Sequence, residues 1–230
     1  TYAGKSALAG QWMRVEATWY DGLLTVALEG ATVQTLATPG LIPTASWRLA
    51  IGARRANDNH AFYVANVVLQ GGSHPPSPPS PPAPPPMVPM VQGSTAYVDL
   101  GDPGEVRLFG AAAVVDVAQL FETSEVVSGN RNAMSLTATE GLTVGWALFS
   151  LQMSSFKLSF DVRCEPATVS AYGWGVLFFD ADQLEAMEQY HAPQLSKSNA
   201  NWQSAWGLEG HKVPHVMYSL YTTQGNAYMR

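Results

Sequence analysis

Between Ser155 and Cys164 the chain alternates without a break. Phe156, Leu158, Phe160, Val162 and Cys164 are apolar, and Ser155, Lys157, Ser159, Asp161 and Arg163 are polar. A period of two places one set on each face of a strand, so 155–164 predicts a half-buried β-strand. The stretch WMRVEATWYDGLLTVALEG at 12–30 predicts two strands joined at Asp21-Gly22, a pair of residues that both tolerate positive φ and so fit a tight hairpin turn. Further strands are predicted at SWRLAIGA (46–53), FYVANVVL (62–69), AYVDL (96–100), EVRLF (105–109), LTVGWALF (142–149), YGWGVLFF (172–179) and HVMYSLY (215–221). Only DADQLEAMEQYH (180–191) carries a weak helical spacing. Strands this frequent, separated by Gly, Asn, Ser and Pro, predict an all-β sandwich or jelly roll.

The alternation stops at HPPSPPSPPAPPPMVP, residues 74–89. Ten prolines in 75–89 favour polyproline II, and at about 3.1 Å per residue a straight rod of this length spans roughly 47 Å. The chain therefore divides into 1–72, a proline-rich linker at 73–93, and 94–230. Chain ends of a domain commonly lie close together, so a straight rod is a better spacer between successive domains than a link between neighbouring ends.

Composition narrows the partners. Charged residues make up 13% of the 230 residues and the net charge is −6, with no basic stripe, which argues against nucleic acid and against docking on an anionic membrane. No apolar run approaches the roughly 18 residues of a membrane span, so membrane insertion is not expected. The opening TYAGKSALAG has no initiator Met and runs straight into strand pattern, which is read as a chain that begins inside a larger precursor. Cys164 is the one cysteine, so no intramolecular disulfide is expected, and its place among apolar neighbours predicts a core residue rather than a nucleophile. No N-x-[ST] sequon occurs.

Residues 11–69, with Ile51-Gly52-Ala53, Asn57-Asp58-Asn59-His60 and Asn66-Val67-Val68 after the hairpin, resemble the C-terminal half of a concanavalin A-like jelly roll of the laminin-G and L-type lectin kind. Residues 144–179, with FKLSFDV leading to the Gly-rich strand YGWGVLFF, resemble the N-terminal half. The half that should come second thus precedes the half that should come first, and reading 94–230 before 1–72 restores the family order. Two explanations are open: a circularly permuted domain, or one period of a tandem repeat cut within the domain. The rod geometry favours the repeat. The Ser-Pro-Pro and Pro-Pro-Pro runs resemble hydroxyproline-rich glycoproteins of green algae and plants, such as extensins and pherophorins. That resemblance implies hydroxylation and O-glycosylation at Pro75, Pro76, Pro78, Pro79, Pro81, Pro82, Pro84, Pro85 and Pro86, with Ser77 and Ser80 as further glycan sites. The competing reading of the segment is a bare spacer or a ligand for an SH3-like domain.

Catalytic patterns are weak. Retaining glucanases of the jelly-roll kind carry an E-x-D-x-x-E strand, which is missing, and the acidic set Asp180, Asp182, Glu185 and Glu188 lacks its spacing. Ser154-x-x-Lys157 matches a Ser/Lys pattern only formally, because it sits in an alternating strand. His211 and His215 have helical metal-ligand spacing, but Pro214 breaks such a helix. Asn57, Asp58 and Asn59 are the weak candidates for a structural calcium ion, with an Asn/Asp turn as the simpler reading; no other metal or cofactor is expected. Tyr172, Tyr190, Trp202 and Trp206 are candidate sugar platforms, although Tyr172 stands where L-type lectins place their sugar-binding Asp.

Together these features predict a secreted, non-enzymatic structural glycoprotein of the extracellular matrix or a cell-surface filament. Jelly-roll domains spaced by glycosylated rods would join head to tail with other copies. The alternative is a secreted lectin-like adhesion module.

Overall fold

The computed structural model describes residues 12–44, 46–55, 61–71, 94–116, 132–136, 143–150, 155–165, 173–180, 215–221 and 227–229. In chain order the strands are β1 (Met13–Tyr20), β2 (Leu23–Leu28), β3 (Ala31–Ala37), β4 (Trp47–Arg55), β5 (Ala61–Gly71), β6 (Ser94–Tyr97), β7 (Val106–Gly110), β8 (Ala113–Asp116), β9 (Asn132–Ser135), β10 (Thr143–Phe149), β11 (Phe156–Glu165), β12 (Gly173–Asp180), β13 (His215–Tyr221) and β14 (Ala227–Met229). No helix occurs among the described residues. All pairings are antiparallel. One sheet runs β3-β2-β1-β11-β5-β9-β8, with β6 on the same edge of β5 as β9, and the other runs β14-β13-β12-β4-β10-β7.

Local sequence accounts for the first hairpins. Asp21 and Gly22 have φ of 47° and 74°, the double positive φ of a type I′ turn, which matches the right-handed twist of β1 and β2. Glu29 and Gly30 repeat the device at 50° and 75° and start β3, a strand the alternation did not predict. Gly22 is also sterically required, since a Cβ there would lie 2.8 Å from the Thr38 carbonyl oxygen.

The apolar sets of the two sheets face each other across one core. Val15, Ala17, Trp19, Leu24, Val26, Phe156, Leu158 and Phe160 from the first sheet meet Trp47, Leu49, Ile51, Phe149, Trp174, Val176 and Phe178 from the second. Phe178 is the hub. Its ring lies 5.3 Å from Trp19, 5.1 Å from Phe156 and 4.9 Å from Trp47, in tilted or edge-on geometries, and Phe160 meets Trp174 edge-on at 5.7 Å. Such pairs each add about 0.5–1.5 kcal/mol beyond the area they bury.

The pairing overturns the division into halves of successive domains. In the first sheet β11 lies between β1 and β5, and in the second β4 lies between β10 and β12. Strands from 13–71 and from 94–229 alternate in both sheets and share the core, so the two segments complete a single two-layer sandwich within one chain. The physical reason is backbone satisfaction. β11 finds neither of its neighbours in its own segment and β4 neither of its own, whereas each segment supplies both partners to the other's strand.

The ends of the proline-rich segment are also placed. Gly71 pairs with Ser94 and Gln70 with Thr95, so β5 and β6 form the two arms of a hairpin, and residues 72–93 leave and rejoin the sheet at neighbouring positions. A connection rooted this way joins two strands of one sheet and does not space one body from another. Its own residues lie outside the described set, as do 181–191 of the expected helix; Asp180 ends β12.

The expectation of half-buried strands holds for β1 and β2, gives way to buried Tyr63, Ala65 and Ala133 on the outer face of the first sheet, and fails at the centre of the second. There the core-facing residues alternate with Ala50, Trp146, Leu148, Leu177 and Phe179, which are buried on the opposite face. Ring contacts run along that face from Phe109 to Trp146 at 5.7 Å and from Trp146 to Phe179 at 6.2 Å, and the Arg107 guanidinium lies 4.8 Å from the Phe109 centroid. Gly145, on the core side of β10 with Ala147 and Phe149, marks a tight crossing. A Cβ there would fall 2.1 Å from the Leu136 carbonyl oxygen and 2.7 Å from the Ala112 amide.

Two outcomes follow. Replacing residues 72–93 by Asn-Gly should leave a folded protein with one unfolding transition in urea, more stable by about 2 kcal/mol because the closed loop is shorter; loss of folding would show that the segment helps hold the sheet. Gly145→Ala should cost about 1–3 kcal/mol or more in the same assay, since both clashing atoms are backbone; an unchanged midpoint would contradict the close approach.

Candidate functional site

The candidate sites read from sequence fall outside the described residues: Pro75, Pro76, Pro78, Pro79, Pro81, Pro82, Pro84, Pro85, Pro86, Ser77 and Ser80 for glycans, Tyr172, Tyr190, Trp202 and Trp206 for sugar contact, and Asn57, Asp58 and Asn59 for calcium. Several weaker candidates are placed. Asp180 accepts a hydrogen bond from Ser46 Oγ at 2.6 Å, and Ser46 is bonded in turn to Thr44 Oγ1 at 2.6 Å, so this carboxylate ties the approach to β4 onto the end of β12. Lys157 forms an ion pair with Glu16 across β1 and β11 at 3.6 Å, with both side chains well exposed. Exposed pairs of this kind contribute about 0–1 kcal/mol. His215 begins strand β13, and His211 lies outside the described residues. Cys164 lies in β11 opposite Phe62 of β5.

The most organised polar cluster was missed in the sequence. It lies on the outer face of the eight-stranded sheet, around Asp161. Cross-strand register sets Arg14 of β1 directly opposite Asp161 of β11, and Arg14 Nε lies 3.0 Å from Asp161 Oδ1. On the other side a β-bulge sets Asn66 and Val67 of β5 against the single residue Phe160. Asn66 takes φ of 51°, a left-handed conformation that Asn tolerates better than most residues, and its Nδ2 donates to Asp161 Oδ2 at 2.6 Å. Each carboxylate oxygen thus has a donor, one from each neighbouring strand. Glu29, at the β2–β3 turn, accepts from the Arg14 backbone N–H at 2.5 Å through Oε1. Arg163, two residues along the same face of β11, is buried as well.

Burial is the largest influence on Asp161 and raises its carboxyl above the ordinary range. The Asn66 hydrogen bond and the Arg14 charge pull it back down, and the Glu29 charge pushes it up. The alternation had placed Asp161 on a solvent-facing strand surface, where a carboxylate needs no partner. The signal that could have found it is the Asn66 bulge, which breaks the FYVANVVL alternation and turns the amide toward β11.

Chemically the cluster is a register lock. Its cation and its amide both point at one carboxylate, and Glu29 is engaged by backbone. A second acidic group, Asp99, Asp102 and Glu105, is exposed and closes on itself. Asp99 and Asp102 carboxylates accept from the Gly101 and Gly104 amides at 2.9 and 2.8 Å, and Glu105 accepts from the Asp99 amide at 2.8 Å. Among the described residues no group of three His, Cys, Asp or Glu is arranged to hold a metal ion, and no helix is long and apolar enough to cross a membrane.

Compared with protein-family models the chain matches none, and no curated protein matches it.

Asp161 gives a pH test. A carboxyl raised by folding takes up its proton in the folded state at a higher pH than in the unfolded state, so ionisation of Asp161 costs stability as pH rises through the raised value. The wild type should therefore gain stability relative to Asp161→Asn as the pH falls from neutrality toward about pH 5, read as the difference between the two urea unfolding free energies at each pH. A difference that stays flat or shrinks on acidification would show that Arg14 and Asn66 outweigh burial.

Proposed function

We propose that this chain is an extracellular structural glycoprotein, in which a β-sandwich of the concanavalin A-like jelly-roll type carries a hydroxylated, O-glycosylated proline-rich segment into a matrix or filament. The observation that carries the reading is the rooting of that segment at the paired residues Gly71 and Ser94. Both ends are held by a sheet with a packed core, so the prolines and serines between them are offered from one edge of a rigid body. Sequence supplies the chemistry. A polyproline II backbone makes no internal hydrogen bonds and leaves its carbonyls and rings open to modification, and attached sugars cover and stiffen it.

The closed sandwich changes how copies would meet. Because β11 and β4 find partners on both edges within the chain, copies associate through their surfaces and glycans and do not exchange half-domains. A head-to-tail filament then rests on contacts between complete sandwiches, with the sugars of the proline-rich segments as cross-bridges between them. The role is non-catalytic.

Native peptides covering 73–93 should carry hydroxyproline together with pentose or hexose additions, detected by mass spectrometry of the protein from its natural source. Peptides unmodified at every proline and serine in that span would remove the glycoprotein reading.

A further inference from the structure

Strand β3 closes the eight-stranded sheet, and among the described residues β2 is its only neighbour there. Sheets guard such edges with charged side chains or proline, because an open edge offers its backbone to any strand that fits. β7 carries Arg107 and β8 carries Asp116. β3, with the sequence ATVQTLA, carries neither charge nor proline. No charged residue occurs from Ala31 to Trp47, although Ala31, Thr32, Thr35 and Ala37 are exposed and Ile42, beyond the strand, is 82% exposed. The ladder to β2 shows which backbone groups are open. Thr38 N–H donates to the Gly22 carbonyl. Hydrogen-bonded and wide pairs alternate in an antiparallel ladder, so Leu36 and Gln34 turn their backbone groups toward Leu24 and Val26, and Thr35 and Ala37 turn theirs to the open side. A bulge that leaves Val33 without an opposite residue ends this regular stretch on one side, and Pro39 ends it on the other. The stretch between them, 34–38, is centred on the partly buried Leu36.

We propose that β3 pairs with β3 of a second copy of the chain, antiparallel about a two-fold axis at Leu36, and so joins two eight-stranded sheets into one. In that register Thr35 of each copy faces Ala37 of the other, and every outward N–H and C=O of both residues finds its acceptor or donor. Leu36 meets Leu36 as a wide pair, about 4.5 Å apart at Cα. The open stretch is complementary to itself, which selects a second copy over an unrelated strand. Charge selects this edge. Two copies of net charge −6 repel over most of their surfaces, whereas along β3 no charge opposes a like charge. A contact built on one strand pair is small, so its place is lateral association at high local concentration. It needs no modification of the proline-rich segment, and stands or falls apart from the glycoprotein reading.

Ala37→Pro in the full chain tests the pairing. It removes an N–H that points away from β2, and an edge strand accepts proline at such a position, so the urea unfolding midpoint should match the wild type. By sedimentation the wild type should approach twice the monomer mass as its concentration is raised toward about 1 mM, the range of weak contacts, while Ala37→Pro stays monomeric. A wild type that remains a monomer throughout, or a dimer that Ala37→Pro leaves intact, overturns the proposal. Should the proline variant unfold, two variants at exposed positions decide instead. Opposed residues of a hydrogen-bonded pair lie about 5.5 Å apart at Cα, within reach of a disulfide. An oxidised mixture of Thr35→Cys and Ala37→Cys chains should form the 35–37 bond between copies, mapped by peptide mass, several-fold faster than either variant joins to itself. A mixture that crosslinks no faster than its components overturns the proposal.

Discussion

Strand β11 is held on both edges by strands from the other side of the proline-rich segment, and the sandwich depends on that insertion. Seven residue pairs join it to β1 and nine to β5, so removing it would split the eight-stranded sheet and leave two rows of backbone donors and acceptors without partners. The second sheet repeats the arrangement, with β4 between β10 and β12. The pairings at these two junctions connect residues 85 to 149 positions apart, so neither sheet is complete until the two segments meet. Folding must close these long loops before the pairing rewards it, which places the protein among slow-folding β topologies.

Asp161 marks the same junction in polar terms. Arg14 and Asn66 reach it from the two flanking strands, so a register slip of either strand would strand a buried carboxylate. The cluster therefore specifies which strands meet and in what alignment more than it adds to stability, since the cost of burying the carboxylate offsets much of what its partners return. The aromatic hub at Phe178 does the complementary work through the core, where it joins the layers without fixing register.

The proline-rich segment takes its meaning from this frame. A spacer between domains and an arm displayed from one domain have the same sequence, and they differ only in where their ends attach. With both ends at a single strand pair, the segment belongs to one sandwich and does not link two.

The sequence by itself determined the elements whose signal is local. The period of two fixed β11, and Asp21-Gly22 fixed the first hairpin, because side-chain direction and turn φ depend on neighbours a few residues away. The near-continuous apolar runs LTVGWALF and YGWGVLFF already carried the mark of strands buried on both faces, although alternation elsewhere drew the eye away from it. Short strands such as β8 and β9 left no readable pattern, since four residues hold barely two alternations. Only the tertiary structure decided that the two segments close on each other, that Gly71 meets Ser94, and that Asp161 is buried between Arg14 and Asn66. Each of these is a pairing between distant residues, and a hydrophobic pattern says which face of a strand is buried without saying which strand lies beside it.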